Sequence, residues 1–444
     1  MKKIEITKQA KIIFDTLTHA GYECFMVGGC VRDFLLNKNP NDIDFTTNAT
    51  PEQMKKCFDG FDIIETGIKH GTLTVIINHL PFEITTYRTD GIYLDNRHPE
   101  NVEFVSDIKE DLARRDFTIN AIAYNPSIGF IDYFHGQQDL KNKIIRCVNE
   151  PMERLNEDAL RILRALRFSA TLGYNIEPKT EEACFKLSYK LKNISAERIT
   201  VELFKTITQP DAHKIILDYV DIWGEIIPEL LKMKDFKQYN PHHVHDVLKH
   251  TCVALQGCSS DLIARLTILF HDIGKPDSFT MDSNGIGHFY GHATKSVEIT
   301  REILNRLKVD NNTKQQVLTL IKYHDLDLQP TIKYIRKLCY KLGSLDMVKK
   351  LVLVQRADNH GQAPIHNERI EKFNEMDKII SNLEQEHLSF SLKDLSVNGN
   401  DLISLGITGK DIGKTLNYLL EAVLNEQVEN IKQSLIDYIK KLKF

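Results

Sequence analysis

Two carboxylates separated by one residue, Asp42 and Asp44, close the run GGCVRDFLLNKNPNDID from Gly28 to Asp44. On a strand, side chains two residues apart point to the same face, roughly 7 Å apart at Cα. Such a pair can hold two divalent cations about 4 Å apart, the arrangement that clamps the attacking hydroxyl and the leaving pyrophosphate of an in-line phosphoryl transfer. Gly28 and Gly29 lack Cβ atoms that would keep a triphosphate off the main-chain N–H groups, and Arg32, followed by Asp33, adds a forked cationic donor. Glu83, alternating with Ile84, is a candidate third acid. The same residues also suit plainer roles: an Asn/Asp turn after Pro40, and a solvated or salt-bridged Glu83.

Three further stretches carry reactive or recognising side chains. In DLARRDFTINAIAYN, Arg114, Arg115, Asp116 and Asn120 suit a triphosphate and a ribose hydroxyl. After Arg88, the polar stretch TDGIYLDNRHPENVEFV reads as a mobile loop whose Arg88, Asp90, Tyr93, Asp95 and Arg97 are substrate contacts or ordinary solvated residues. In ERLNEDALRILRALRF, Asp158, Arg161, Arg164 and Arg167 recur every three residues. That row is either a solvated salt-bridging face or a reading head. Cytosine and adenine offer an amine donor beside a ring-nitrogen acceptor, so Asp158 accepting and Arg161 donating select C and A, while guanine and uracil present the reverse.

The second half has a different chemistry. His271 and Asp272 follow an apolar helix and precede Gly274 in ARLTILFHDIGKP, and His250, His292, His324 and Asp358 are the residues that would complete a one- or two-metal site. His250 is preferred to His245 as the first ligand. His242, His243 and His288 are assigned structural roles.

The positioning elements follow from periodicity. Helical spacing over residues 5–20 ends at Gly21; a strand over Cys24 to Val27 enters the glycine turn; a short helix covers Val31 to Leu36; and a strand holds Ile43 and Phe45. Further strands are predicted over residues 61–66, 72–77 and 82–87. A helix is predicted to start at Arg114–Asp116, then a strand, a turn at Gly136 and a second strand. A continuous helix carries Asp158 to Arg167 and stops at Gly173. In the tail, Gly406, Gly409 and Lys410 form a turn between helices, as punctuation or as N–H donors to an RNA phosphate.

With 444 residues the chain has room for about three domains. Hydrophobic residues are 42% and charged residues 27%, ordinary for a globular chain, and no apolar run is long enough to span a bilayer. The N-terminus is no secretory signal, so a cytoplasmic location is expected. Eight scattered cysteines form no CxxC pair and read as buried free thiols. A net charge of −4 argues against a polyanion-binding surface over the whole molecule while leaving room for a local basic groove.

The order GGCVRD, DID, RRDFTINA, EDALRILRALRF and SAERITVELFK resembles the class II tRNA nucleotidyltransferases (CCA-adding enzymes) and the related bacterial poly(A) polymerases, members of the DNA polymerase beta-like nucleotidyltransferases. The resemblance covers about the first half. It implies an α+β fold: a palm-like mixed-sheet head (1–148), an all-α base-reading neck (149–235), an HD-type body (236–365) and a tRNA-binding tail (366–444). It implies Mg²⁺ on Asp42 and Asp44, with Gly29, Arg32, Arg115, Asp158, Arg161, Arg164 and Arg167 contacting CTP or ATP. The loop before RRD is intact, which favours full CCA addition to tRNA over CC addition; an A-adding or poly(A) polymerase shares the same motifs. HDIGKP resembles the HD-domain metal phosphohydrolases, which implies Mg²⁺ or a transition metal at the second site and either a phosphohydrolase activity or a retained structural metal. Nothing in the sequence sets the oligomeric state.

Overall fold

Every position of Cys24–Val27 is apolar and buried, which makes this stretch β1, an inner strand of the first sheet. The sheet also contains β2 (Asp44–Thr47), β3 (Asp62–Ile64), β4 (Thr72–Ile77), β5 (Leu80–Thr86), β8 (Ala123–Asn125) and β9 (Gly129–Ile131), in the order β3-β4-β5-β2-β1-β8-β9. β6 (Arg88–Asp90) and β7 (Val102–Phe104) pair separately. β2 and β5 run parallel and the other sheet pairs antiparallel, so the sheet is mixed. This is the computed structural model of the chain; it describes all residues except 1–3, 5, 41, 91–101, 367, 386–391, 425–426 and 442–444. Two units are distinguished, residues 1–211 with 221–226, and residues 212–220 with 227–444.

In the first unit the helices are α1 (Lys8–His19), α2 (Gly29–Leu35), α3 (Pro51–Cys57), α4 (Ile108–Ala113), α5 (Gly136–Asn142), α6 (Pro151–Glu157), α7 (Leu160–Leu172), α8 (Pro178–Leu187) and α9 (Ala196–Ile207). Phe25, Val27, Tyr87, Leu112, Ala123 and Val148 form a core between the sheet and α4. Gly28 links β1 to α2 at φ 80°, a backbone region that L side chains rarely adopt.

Four local expectations are corrected. β2 begins at Asp44, so Asp42 lies just before the strand rather than on it. Arg114 caps the end of α4 instead of starting a helix, and only a single 3₁₀ turn, Thr118–Asn120, follows. Phe117 forms an isolated bridge with Cys147 and Thr118 N donates to Arg146 O, so the segment pairs with another strand-like stretch instead of continuing as an α-helix. Gly136 opens α5 rather than a turn, because the Asp132 carboxylate accepts from Gly136 N and Gln137 N. The long helix through Asp158 is broken there: Asp158 is extended, at φ −140° and ψ 101°, and α7 starts afresh at Leu160. The neck is helical apart from the short parallel pair β10–β11 (Ile144–Ile145 with Asn175–Ile176) that ties it to the head.

Among its described residues the second unit is helical apart from a hairpin, β12–β13 (Thr280–Met281 with Gly287–His288). Helices Val247–Gln256, Leu262–Phe270, His292–Arg306, Asn311–Tyr323 and Leu345–Gly361 carry the histidines and Asp358. Gly274 lets the turn after Asp272 approach the helix 292–306: a Cβ there would lie 2.5 Å from Ser296 N. Gly274 N donates instead to Ser296 Oγ at 2.9 Å. The last helices pack on a separate apolar cluster containing Leu402, Leu419, Leu420 and Leu435, and Gly406 and Gly409 turn the chain between two of them as expected. The cysteines are free and, apart from half-buried Cys57, buried. No described helix is long and apolar enough to cross a membrane.

Candidate functional site

Parallel pairing of β2 with β5 puts Asp44 opposite Glu83, and Asp42 precedes Asp44 at the edge. Withdrawal of hydration raises the Asp44 carboxyl above its ordinary range, and the neighbouring charges of Glu83 and Asp42 add to this against the pull of Arg115. Crowded carboxylates whose charges oppose one another are the donor chemistry a hard divalent cation relieves, so these residues fit a metal site.

The cations reach this site through α4 and the RRD run. Asp111, fully buried, accepts from Arg114 Nε and Nη2 (2.9 and 2.8 Å), from Arg115 Nη2 (3.3 Å) and from Thr46 Oγ1 on β2 (3.3 Å). Burial opposes its charge, yet the two arginines hold its carboxyl below the usual range. Arg115 Nε is buried without a hydrogen-bond partner, and Arg115 Nη1 lies 3.1 Å from where a Gly28 Cβ would stand. A half-satisfied guanidinium over the glycine turn is suited to an oxyanion.

Arg32 donates to Asp33 Oδ1 from Nε at 2.9 Å and to Asn120 Oδ1 from Nη1 at 2.8 Å. Asn120 Nδ2 donates to Asp116 Oδ1 at 3.0 Å, and Arg164 grips Asp116 Oδ2 with Nε and Nη2 at 2.9 and 2.6 Å. Asp116 is buried; burial works against its charge, but Arg164 and Asn120 pull its carboxyl down to about 2. Its oxygens are thus engaged inside the protein, tying the RRD run to α7. Phe168 gathers three guanidinium groups on its ring, Arg32, Arg164 and Arg167, at 5.1, 5.5 and 4.3 Å.

Asp158 and Arg161 sit either side of the helix break. Asp158 Oδ1 accepts from Leu160 N at 3.1 Å and Oδ2 from Arg198 Nη2 at 2.7 Å. Arg161 Nη1 donates to Glu157 Oε2 and to the Arg154 carbonyl, at 2.6 and 2.8 Å. Arg167 Nε donates to Glu202 at 2.6 Å. Arg88 donates to the His70 carbonyl. Asp90 belongs to β6, while Tyr93, Asp95 and Arg97 lie outside the described residues. The partners Asp111, Glu157, Arg198 and Glu202, and the gathering role of Phe168, were not legible from local pattern. The i,i+4 spacing of Arg198 and Glu202 in SAERITVELFK was the one available signal.

In the second unit every proposed ligand converges. His250, His271, Asp272 and Asp358 form one group and Asp272, His292 and His324 another, with each group's ligand atoms within 4.8 Å of one another. Each histidine has Nδ1 against a main-chain carbonyl: Gly361 O for His250 (2.9 Å), Ile268 O for His271 (2.8 Å), Phe289 O for His292 (2.9 Å) and Ile321 O for His324 (2.6 Å). Those carbonyls accept, which orients the rings and turns the four Nε2 atoms inward. Asp272 faces both groups, Oδ2 toward His271 (3.2 Å) and His250 (3.4 Å), Oδ1 toward His292 (3.5 Å) and His324 (4.0 Å). Oδ2 makes no well-directed hydrogen bond although Lys275 Nζ is 2.7 Å away. Burial opposes the charges of Asp272 and Asp358, but the surrounding histidines, with Lys275 beside Asp272, hold both carboxyls well below their usual range. Asp325, which the sequence reading did not single out, lies 3.2 Å from His292 Nε2 and 3.1 Å from His324 Nε2. His243 lies beside the cluster, with its ring 4.9 Å from that of His250, and burial first, then the Lys275 charge, lowers it to about 3.

Residues 24–146 match the family model described as poly A polymerase head domain, residues 173–233 the one described as probable RNA and SrmB-binding site of polymerase A, and residues 289–439 the one described as tRNA nucleotidyltransferase domain 2, putative. The chain is 33% identical to a CCA-adding enzyme of Lactobacillus helveticus, over 98% of this chain and 97% of that one. It is 32% identical to a CCA-adding enzyme of Staphylococcus haemolyticus, over 98% of each. Among solved structures, the CCA-adding enzyme of Bacillus stearothermophilus in complex with CTP superposes with a TM-score of 0.71 at 27% identity, covering 98% of both chains. The Thermotoga maritima CCA-adding enzyme complexed with tRNA shares the fold, with a TM-score of 0.56 at 21% identity, over 99% of this chain and 97% of that one.

Proposed function

We propose, for a chain that belongs to the family of CCA-adding tRNA nucleotidyltransferases, that the site between Gly28 and Arg167 performs the family's reaction with the residues assigned below. The protein adds C, C and A to the 3′ end of tRNA from CTP and ATP. The observation that carries this is whole-length similarity to CCA-adding enzymes. An A-only or poly(A) activity is not favoured by those relatives. In our reading Asp42 and Asp44 hold the divalent metal, with Glu83 beside them, and the metal is Mg²⁺. Bound there, such a cation would supply charge neutralisation for the attack of the 3′-hydroxyl on the α-phosphate and for the departing pyrophosphate. Gly28 and Gly29 admit the triphosphate, Arg115 and Arg32 bind its oxygens, and Arg114 is positioned with Arg115 by Asp111. Asn120 meets the ribose. Asp116, Arg164 and Arg167 brace the reading helix, on which Asp158 and Arg161 select the base. The tail binds the tRNA, and the reaction takes place in the cytoplasm.

The test is incorporation on a tRNA ending before CCA. Asp158→Ala should relax the preference for C and A over U and G; complete exclusion of UTP and GTP by that variant would remove the base-reading assignment.

A second reading concerns the second unit: we propose that its His/Asp cluster holds one or two divalent metal ions. The four histidines with Nδ1 fixed by main-chain carbonyls favour it, and Asp272 supplies a shared carboxylate. Imidazole with carboxylate suits a transition metal as well as Mg²⁺. Metal content of the purified protein, with His271→Ala as control, tests it; phosphomonoester hydrolysis is the activity to assay there.

A further inference from the structure

A cavity of about 430 Å³ opens beside the His/Asp cluster, with His324, Asp325 and Asp358 on its lining. That size is typical of a small-molecule site. Leu326, Leu328 and Phe373 give it an apolar side, and Arg369, at the start of helix Arg369–Gln385, brings a cation to it. The carboxylates around the cavity are already engaged. Asp358 faces His250 and His271, Asp325 faces His292 and His324, and Asp327 takes Lys372. Arg369 has no carboxylate partner among the described residues; the hydrogen bond it makes runs from Nη1 to Gln362 Oε1 at 3.4 Å. The same glutamine amide donates from Nε2 to Asp358 Oδ2 at 2.8 Å. Gln362 therefore sets the guanidinium one amide away from a carboxylate of the cluster, with most of its N–H donors unengaged.

We propose that this cavity binds a small phosphate ester, with Arg369 gripping the phosphate oxygens and Leu326, Leu328 and Phe373 lying against the apolar body. The inference rests on the reading of the cluster as a metal site and names the ligand class of that site. A guanidinium fork meets two oxygens of one anion at once. A tetrahedral phosphate held in this way keeps a third oxygen to turn toward the cluster, whereas a planar carboxylate held by both of its oxygens has none left. The cavity therefore favours phosphate over carboxylate, because only phosphate can reach Arg369 and the cluster together. The apolar side favours an ester over inorganic phosphate, since it gives the organic group a surface to cover.

The experiment titrates phenylphosphonate into the whole chain by calorimetry. Its C–P bond resists hydrolysis, and it carries no base for the nucleotide site to read. Wild type, Arg369→Met, Arg369→Lys and Arg115→Met are compared, with benzoate as the planar control and the metal content of each preparation measured alongside. Wild type should bind phenylphosphonate and not benzoate. The affinity should fall about tenfold or more in Arg369→Met, take an intermediate value in Arg369→Lys, which keeps the charge and loses the fork, and stay unchanged in Arg115→Met. Metal content should be the same in Arg369→Met as in wild type. Arg369 is exposed, so a variant that keeps its metal and loses only the ligand is folded. Unchanged affinity in Arg369→Met with the metal present would overturn the proposal, as would equal binding of benzoate, no binding to wild type, or a loss of metal that accompanies the loss of affinity. Binding abolished in Arg115→Met would place the ligand in the nucleotide site and overturn it as well. A wild-type protein that takes up no metal would overturn the metal reading itself and the proposal with it.

Discussion

The nucleotide site and the His/Asp cluster solve opposite problems with the same residue types. In the first unit Asp42 and Asp44 are exposed and the arginines Arg32, Arg164 and Arg167 are held by protein carboxylates or stacked on Phe168. In the second, His250, His271, Asp272 and His324 are buried, and main-chain carbonyls orient the three histidines. A site that must admit a triphosphate keeps its acidic pair near solvent and its cations braced by protein carboxylates. A site that holds an ion permanently can be dry and rigid, because coordination supplies what hydration gave up.

The largest effect that separates the two is at the acidic pair. Asp42→Ala should abolish CTP and ATP incorporation while leaving the metal content of the cluster unchanged; a parallel loss of that metal would mean the two regions are not independent. The mirror experiment is Asp272→Asn, which removes the carboxylate shared by both groups. Elemental analysis should show the cluster metal gone while incorporation persists, and retention of the metal would refute the bridging role.

A smaller effect tests how the first site is braced. Asp116→Asn leaves Arg164 without its bidentate partner and should cost about 3 kcal/mol in denaturant unfolding at neutral pH. The folded carboxyl of Asp116 lies near 2, below its unfolded value of about 3.9, so this stabilisation is complete above pH ~4 and fades as pH falls toward 2. The difference between variant and wild type should shrink over that window. The smallest effect has the opposite sign. The Asp44 carboxyl is raised in the folded chain, so its ionisation opposes folding as pH rises above the ordinary carboxylate value. Asp44→Asn should therefore melt slightly higher than wild type at neutral pH without added metal, while losing incorporation; a lower melting temperature would contradict the crowding of carboxylates.

Much of this was legible where the signal is local. The all-apolar β1 and the alternation of β4 appear at the residues their patterns mark, and Gly173 ends α7 in the left-handed conformation expected of a stop. The break at Asp158 was not, because helix propensity runs unbroken through LNEDALR and only the tertiary pull of Arg198 and the capping of Leu160 N reveal it. Arg114–Asp116 read as a helix start because the bridge that draws the chain out, from Phe117 to Cys147, joins residues distant in sequence. The residues that meet in the cluster followed from residue type, but the carbonyls that orient its histidines come from the main chain and leave no mark on side-chain pattern.

The most direct test of the central assignment is the product made by the wild-type protein on a tRNA truncated before CCA. With CTP alone the tRNA should gain two residues, and with CTP and ATP together it should gain three and stop. A ladder of added A residues, or no extension with CTP, would contradict the account.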